Sequence, residues 1–227
     1  MVRKTGVSRR DFLKGAAAAV AAPYVLTSTA LGAADRPAAS ERIVMGAIGV
    51  GGRGSDDMNT FLGSPEVQMV AVCDVFEDRR RRAKSTVDRR YGNADCAAYN
   101  DFRDLVTRPD IDAVCIGSPD HWHVLHALWA VRAGKDVYCE KPLGLSIEQD
   151  KALRTAVRRY GRVFQFGTQE RSSWSTRLAA EIVLNGWIGK VHTIKVGTRF
   201  SISSPNYPPM PVPEGLDYDL WLGPAPW

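Results

Sequence analysis

Three glycines, Gly49, Gly51 and Gly54, stand in the order G-x-G-x-x-G. Glycines at that spacing let a main chain approach a pyrophosphate. Gly49 permits a tight turn, Gly51 puts no side chain between backbone and phosphate, and Gly54 lets the next helix pack close to its strand. Gly52 and Arg53 complete the loop, and the N–H groups that open the helix face the anion. A glycine-rich turn without a ligand has the same letters, so context decides. Ile43 to Ile48 is a nearly unbroken apolar run, as in a strand covered on both faces. Ser55 to Leu62 reads as a helix with Met58, Phe61 and Leu62 on one side. A second apolar run, Val67 to Cys73, ends at Asp74, where an acidic residue can accept hydrogen bonds from ribose hydroxyls. A carboxylate there disfavours a 2′-phosphate, which points to NAD. Arg79 and Arg80 could offset that charge, so NADP stays open.

Two more segments carry polar groups. Gly117 to His123 (GSPDHWH) follows a buried strand, Asp112 to Gly117, and Tyr138 to Ser146 (YCEKPLGLS) grows out of another, Asp136 to Cys139. In a parallel sheet the carboxyl ends of strands share one edge. The two segments therefore converge beside the nicotinamide end of a dinucleotide lying across Gly49–Gly54.

The elements that must position these groups alternate. Glu77 to Tyr91, Phe102 to Val106, His121 to Ala133 and Ser146 to Tyr160 read as helices, and Val163 to Phe166 as a further strand. The alternation implies an α/β class with a Rossmann-type, doubly wound parallel sheet over residues 42–166. Beyond it, Trp174 to Asn185 reads as a helix and Val191 to Phe200 as a longer strand with partial alternation. That suggests an α+β unit with an open, antiparallel or mixed sheet over residues 167–227. A proline-rich stretch, Ser204 to Pro213, and the segment Leu216 to Pro224 follow. This second unit has scarcely begun at Trp227, so the expectation is a fragment truncated at its C-terminus.

The chain has 227 residues, 44% hydrophobic and 24% charged, ordinary for a soluble globular protein. Its formal charge is +5, but Arg3, Lys4, Arg9, Arg10 and Lys14 against Asp11 concentrate that surplus near the start. The runs Arg79–Arg82 and Arg89–Arg90 fall on a surface helix and read as a solvated face, with no nucleic-acid partner expected. Residues 1–34 read as a targeting segment. Ser8-Arg9-Arg10-Asp11-Phe12-Leu13-Lys14 resembles the twin-arginine export signal, followed by a mild apolar stretch too short to span a membrane comfortably. The expected location is extracytoplasmic, reached through the twin-arginine machinery, with residues 35–41 as a linker. Cys73, Cys96, Cys115 and Cys139 form no C-x-x-C pair, so no metal site is expected, and they read as small buried apolar residues.

Glu140-Lys141-Pro142, together with the glycine loop, Asp74 and Ser118-Pro119-x-x-x-His123, resembles the Gfo/Idh/MocA oxidoreductases, which include glucose–fructose oxidoreductase and inositol dehydrogenases. The resemblance runs from about Arg42 onward. It implies a Rossmann domain followed by a domain built on an open, largely antiparallel sheet, and hydride transfer between a sugar or cyclitol carbon and a nicotinamide. It also implies that Lys141 contacts the nicotinamide ribose and polarises the reacting hydroxyl. By the same resemblance Glu140 orients Lys141 and the cofactor, Pro142 carries a cis bond that turns the lysine inward, and His123 lies near the cofactor and sets substrate position. Gln169 and Arg171 could face a polyol, or belong to an ordinary loop. His126 reads mainly as a packing residue, and His121 is open between capping and packing. The family's further D-x-x-x-H pair has no match, since no histidine follows His192, and Asp120 replaces the usual asparagine. The general base is therefore expected outside this chain. Export adds an expectation, because no nicotinamide pool is dependable outside the cytoplasm: the cofactor is held tightly and its redox state is restored within one site. Two alternatives remain, an NAD-dependent glycosidase using transient sugar oxidation and, should the chain end at Trp227, a non-catalytic dinucleotide-binding protein. A homo-oligomer of the full-length form is also open.

Overall fold

The structure, a computed structural model, describes residues 37–197 and 208–226. The chain divides into Met1–Arg42 and Ile43–Trp227. In the first unit a single 3-10 turn, Ala39–Glu41, is described. The twin-arginine segment 1–34 lies outside the described residues.

The second unit begins with β1 (Ile43–Ile48), α1 (Gly52–Gly63), β2 (Val67–Cys73), α2 (Glu77–Tyr91), β3 (Ala97–Tyr99) and α3 (Phe102–Val106). It continues with β4 (Ala113–Ile116), α4 (His123–Arg132), β5 (Asp136–Glu140), α5 (Ile147–Tyr160) and β6 (Phe164–Gly167). The six strands form one parallel sheet in the order β3-β2-β1-β4-β5-β6. Strand order reverses between β1 and β4, the switch point at which such sheets open a crevice at their carboxyl edge. The register aligns that edge, since Ile48 lies opposite both Cys73 and Ile116.

The apolar runs split their residues between two cores, as a period of two requires. Ile48, Val114, Ile116 and Val137 pack against Leu105 of α3, Val124 and Ala127 of α4 and Leu153 of α5. Met45, Ala47, Met69 and Cys115 face the other way, onto Met58 and Leu62 of α1 and Val87 of α2. Strands buried on both faces must read as continuous apolar runs, and these do. The arginine-rich α2 buries only Ala83 and Val87, and turns Arg81 and Arg82 outward, where both pair with Asp78. All four cysteines are buried with free thiols.

β3 does not show in the sequence. Three residues, Ala97-Ala98-Tyr99, carry no apolar run, and their ladder with Ala71–Cys73 is what makes them a strand. Beyond the sheet, α6 (Trp174–Leu184) forms as expected and buries none of its residues. The expected strand Val191–Phe200 is corrected over its described part: residues 191–197 have no regular secondary structure. An alternating pattern marks a face but supplies no partner, and no strand among the described residues pairs there. Thr198 to Phe200 lie outside the described residues. Residues 213–226 return to the sheet's carboxyl edge with a five-residue helix, α7 (Tyr218–Leu222).

Candidate functional site

The glycine loop leaves β1 in a backbone turn that only glycine takes easily, with Gly49 at φ +76° and its N–H on the Cys73 carbonyl at 2.8 Å. A Cβ on Gly54 would stand 1.8 Å from the Gly49 carbonyl oxygen, and one on Gly117 would stand 2.4 Å from the Gly54 Cα. The first turn of α1 is therefore in backbone contact with the ends of β1 and β4. The helix starts at Gly52, three residues before the expected Ser55, so Gly51 is its N-cap. No side chain caps that end and its first turn carries no acidic residue. The N–H groups of the first turn keep their anion-binding capacity.

One detail corrects the simple picture of a bare Gly51. Its absent Cβ is where the Arg79 side chain comes to rest, with Nη1 2.8 Å from the ideal Cβ position. Arg79 also stacks its guanidinium over the Phe76 ring at 5.5 Å. A cation from α2 thus overlies the loop.

Asp74 closes β2 and is 6% exposed. Its two carboxylate oxygens accept from the Val50 N–H at 3.0 Å and the Phe76 N–H at 2.9 Å. Burial raises its pKa, while the Phe76 N–H, Arg79 and the Val50 N–H pull the other way. Each oxygen keeps a second lone pair, and the carboxylate borders a cavity of about 310 Å3. Gly49, Gly51 and Gly52 form one side of that cavity, Val75 and Arg79 another, and Ser118 and Pro119 a third. These come from the ends of β1, β2 and β4, at the switch point. A groove with a carboxylate, uncapped helix N–H groups and glycines that a Cβ would obstruct fits a dinucleotide.

Glu140 and Lys141 stand one strand further along. Glu140 is 3% exposed. Its Oε1 receives Arg53 Nε at 3.2 Å and the Tyr138 hydroxyl at 3.3 Å, while Oε2 takes the Lys141 N–H at 3.2 Å. Arg53 also pairs with Asp57 at 2.8 Å, so two buried carboxylates share one guanidinium. This ties the end of β5 to the helix that opens at the loop. Lys141 itself is exposed, does not line the cavity, and has no side-chain polar partner among the described residues. The Lys141–Pro142 peptide bond is cis, as the resemblance implied.

His123 is buried, with Nδ1 2.5 Å from the Pro142 carbonyl oxygen and Nε2 2.7 Å from that of Ser118. Both ring nitrogens are committed to backbone oxygens, so the ring joins the loop after β4 to the loop after β5. His126 packs as expected, stacked on Trp122 at 4.7 Å and against Phe102 at 4.3 Å, with Nδ1 3.0 Å from Ser118 Oγ. Burial first, then the nearby His123 and His121, press its pKa down to about 3. His121 sits 2.9 Å from the Trp221 carbonyl oxygen. Gln169 and Arg171 lie exposed in a 3-10 turn after β6, on the far side of β5 from the cavity. Asn100, Trp122, Leu220 and Trp221 also line the cavity, and sequence reasoning passed over them. Nothing local distinguishes a cavity-lining tryptophan from a packed one. Asp57 was missed too, since one acidic residue on a helix gives no sign of being buried.

Comparison with known proteins agrees with this geometry. An oxidoreductase family with an NAD-binding Rossmann fold, Gfo/Idh/MocA, matches residues 43–168. A twin-arginine translocation signal matches residues 6–23 and marks the chain for export by that pathway. Among the described residues no helix is long and apolar enough to cross a membrane. The uncharacterized oxidoreductase YrbE of Bacillus subtilis is 31% identical over 179 residues, 79% of this chain and 48% of its own length. A glycosyl hydrolase family 109 protein of Saccharopolyspora erythraea is 38% identical over 165 residues, 65% of this chain and 36% of its own. The crystal structure of scyllo-inositol dehydrogenase from Lactobacillus casei, with NAD(H) and scyllo-inositol bound, superposes with a TM-score of 0.58 at 30% identity, over 65% of this chain and 42% of that one. The chain spans less than half the length of each of these three proteins.

Proposed function

The chain belongs to the Gfo/Idh/MocA family of NAD-binding oxidoreductases, and from that premise we propose that the protein moves hydride between a hydroxyl-bearing carbon of a sugar or cyclitol and a tightly held nicotinamide. Residues 42–166 would hold the dinucleotide, and residues 167–227 would open the unit that receives the substrate. The observation that supports the reading is the tie between Glu140 and Arg53, which joins the end of β5, just before Lys141, to the helix that opens at the glycine loop.

The bound nicotinamide supplies an acceptor, or in reverse a donor, of hydride. The residues of this chain bind and position it. First-turn N–H groups at Gly52, Arg53 and Gly54 attract the pyrophosphate, helped by Arg79 above Gly51. Asp74 accepts from ribose hydroxyls with the lone pairs that Val50 and Phe76 leave, and favours NAD over a 2′-phosphorylated cofactor. Lys141, exposed to solvent just after β5, polarises the substrate hydroxyl and stabilises alkoxide character as hydride departs, the hydroxyl proton passing to solvent water. His123 is a positioning residue that fixes the loop carrying Ser118 and Pro119 against the one carrying Lys141 and Pro142. Ser118 and Pro119 wall the cavity, and Gln169 and Arg171 are the nearest polyol-binding candidates after β6.

A panel of inositols, hexoses and glucosides incubated with NAD+ and followed at the NADH absorbance tests this. Lys141→Met should lower turnover by about a hundredfold or more and leave NAD+ affinity within about threefold, since Lys141 lies off the cavity. Full turnover by the variant would remove Lys141 from the chemistry. A second reading is favoured by the likeness to the family 109 hydrolase: transient oxidation that ends in glycoside cleavage. Release of the aglycone from an aryl glycoside, with no net NADH, would select it.

A further inference from the structure

We propose that residues 213–222, remote in sequence from the Rossmann unit, complete the adenosine half of its groove, with Leu220 and Trp221 as an outer wall against the purine. The inference rests on the dinucleotide reading of that groove.

The segment is anchored at both sides of the cavity. On the β2 side, Glu77 N–H donates to the Gly215 carbonyl at 2.9 Å and Asp217 N–H donates to the Val75 carbonyl at 3.0 Å. Phe76 and Leu216 pair as an antiparallel bridge between these bonds. Asp217 then takes the Asn100 Nδ2 at 2.8 Å on one oxygen and the Leu220 N–H at 3.0 Å on the other. On the β4 side, the Trp221 carbonyl accepts from Trp122 Nε1 at 3.1 Å and lies 2.9 Å from His121 Nε2. Gly223, at φ +51°, passes the Trp122 ring so closely that a Cβ would stand 2.1 Å from it. The segment therefore runs from the β2 loop to the β4 loop across the space between them.

What faces that space is informative. Leu222 is 8% exposed and packs inward, as one face of a small helix should. Leu220 and Trp221 stay half-buried and line the cavity with Asp74 and Pro119. Flat and apolar walls beside a carboxylate suit a ring joined to a vicinal diol, which is the chemistry of a nucleoside. The β5 side of the edge, where Lys141 stands, contributes nothing to this cavity. The wall thus belongs to the adenosine half.

Calorimetric titration of the full chain with ADP-ribose and with NAD+ tests the assignment. Trp221→Ala should weaken both by about tenfold, the scale of one lost base–aromatic stack, while Trp174→Ala, outside the groove, should change neither. Leu220→Ala should act in the same direction and carries the test if Trp221→Ala does not fold, as judged by its urea transition. ADP-ribose affinity in the folded variants within about twofold of wild type would overturn the wall. A wild-type chain that binds neither ligand would overturn the dinucleotide reading and this inference with it.

Discussion

Asp57 is a carboxyl group placed where a charge is expensive. It is 4% exposed, and among the described residues its Oδ2 has no hydrogen-bond partner and Glu140 shares the one cation paired with it. Burial first, then Glu140, push its pKa up to about 6, against the pull of Arg53. The folded chain therefore holds a proton that the unfolded chain releases near 3.8. Between those values the native state binds more protons, so this contribution to stability falls as pH rises from about 4 to about 6, and is flat above. His126 runs the opposite way: neutral in the fold down to about 3, it makes stability rise with pH up to its unfolded value of 6.5. Asp57→Asn removes the first trend and leaves the second. Urea unfolding between pH 4 and pH 7 should show wild type losing ground relative to Asp57→Asn as pH rises, and parallel curves would refute the assignment. Single residues were legible where their role is local. Gly49, Gly54 and Asp74 announce themselves because turn, close packing and strand end lie within one βαβ unit. Arg79 over Gly51 and the Asp57–Arg53–Glu140 cluster depend on which helix face meets which strand end, and spacing alone does not state that.

At the scale of elements, the ends of α5 show how sequence writes a helix. Ser146 Oγ accepts the Gln149 N–H at 3.3 Å, and Gln149 Oε1 in turn accepts the Leu145 N–H at 2.9 Å, a close relative of the capping box. Gly161 ends the helix in a left-handed conformation at φ +61°. Ser146→Ala should cost about 1 kcal/mol, read as a lower urea midpoint with an unchanged slope. An unchanged midpoint would mean that Gln149 alone sets this end. Elements of this kind were readable, because cap, periodicity and stop are all local. The strand expected at Val191–Phe200 shows the converse. His192 to Val196 alternate as an edge strand does, but a ladder needs a second chain segment, and none pairs there among the described residues. β3 was invisible for the same reason read backwards, being made by its neighbour rather than by its own composition.

At the scale of the molecule, the sheet buries its apolar residues on both faces while the stretch after it does not. Trp174, Leu184, Trp187 and Ile194 are each more than 75% exposed. Apolar surface gathered in one stretch marks an interaction face more often than it marks bare surface. The purified chain should therefore bind a hydrophobic dye such as anilinonaphthalene sulfonate in its native state. Leu184→Glu with Trp187→Glu should cut that signal several-fold and leave ADP-ribose affinity unchanged. A dye signal that survives the pair of charges would place the exposed surface elsewhere. The return of residues 213–226 was the least legible feature of the whole. Its bonds join residues 117 and 100 positions apart, and no periodicity links Asn100 to Asp217 or His121 to Trp221.

Asn100 is one of the anchors of that return: its amide oxygen accepts from Arg80 at 3.0 Å and its nitrogen donates to Asp217 at 2.8 Å. The two ends of the amide do opposite jobs, one accepting and one donating, which a carboxylate cannot match. Slow hydrolysis to aspartate would turn the donor into a second anion facing the first. In a protein marked for export, the clasp would age into a repulsion, and the wall proposed for the nucleotide groove would loosen without a single mutation in the gene.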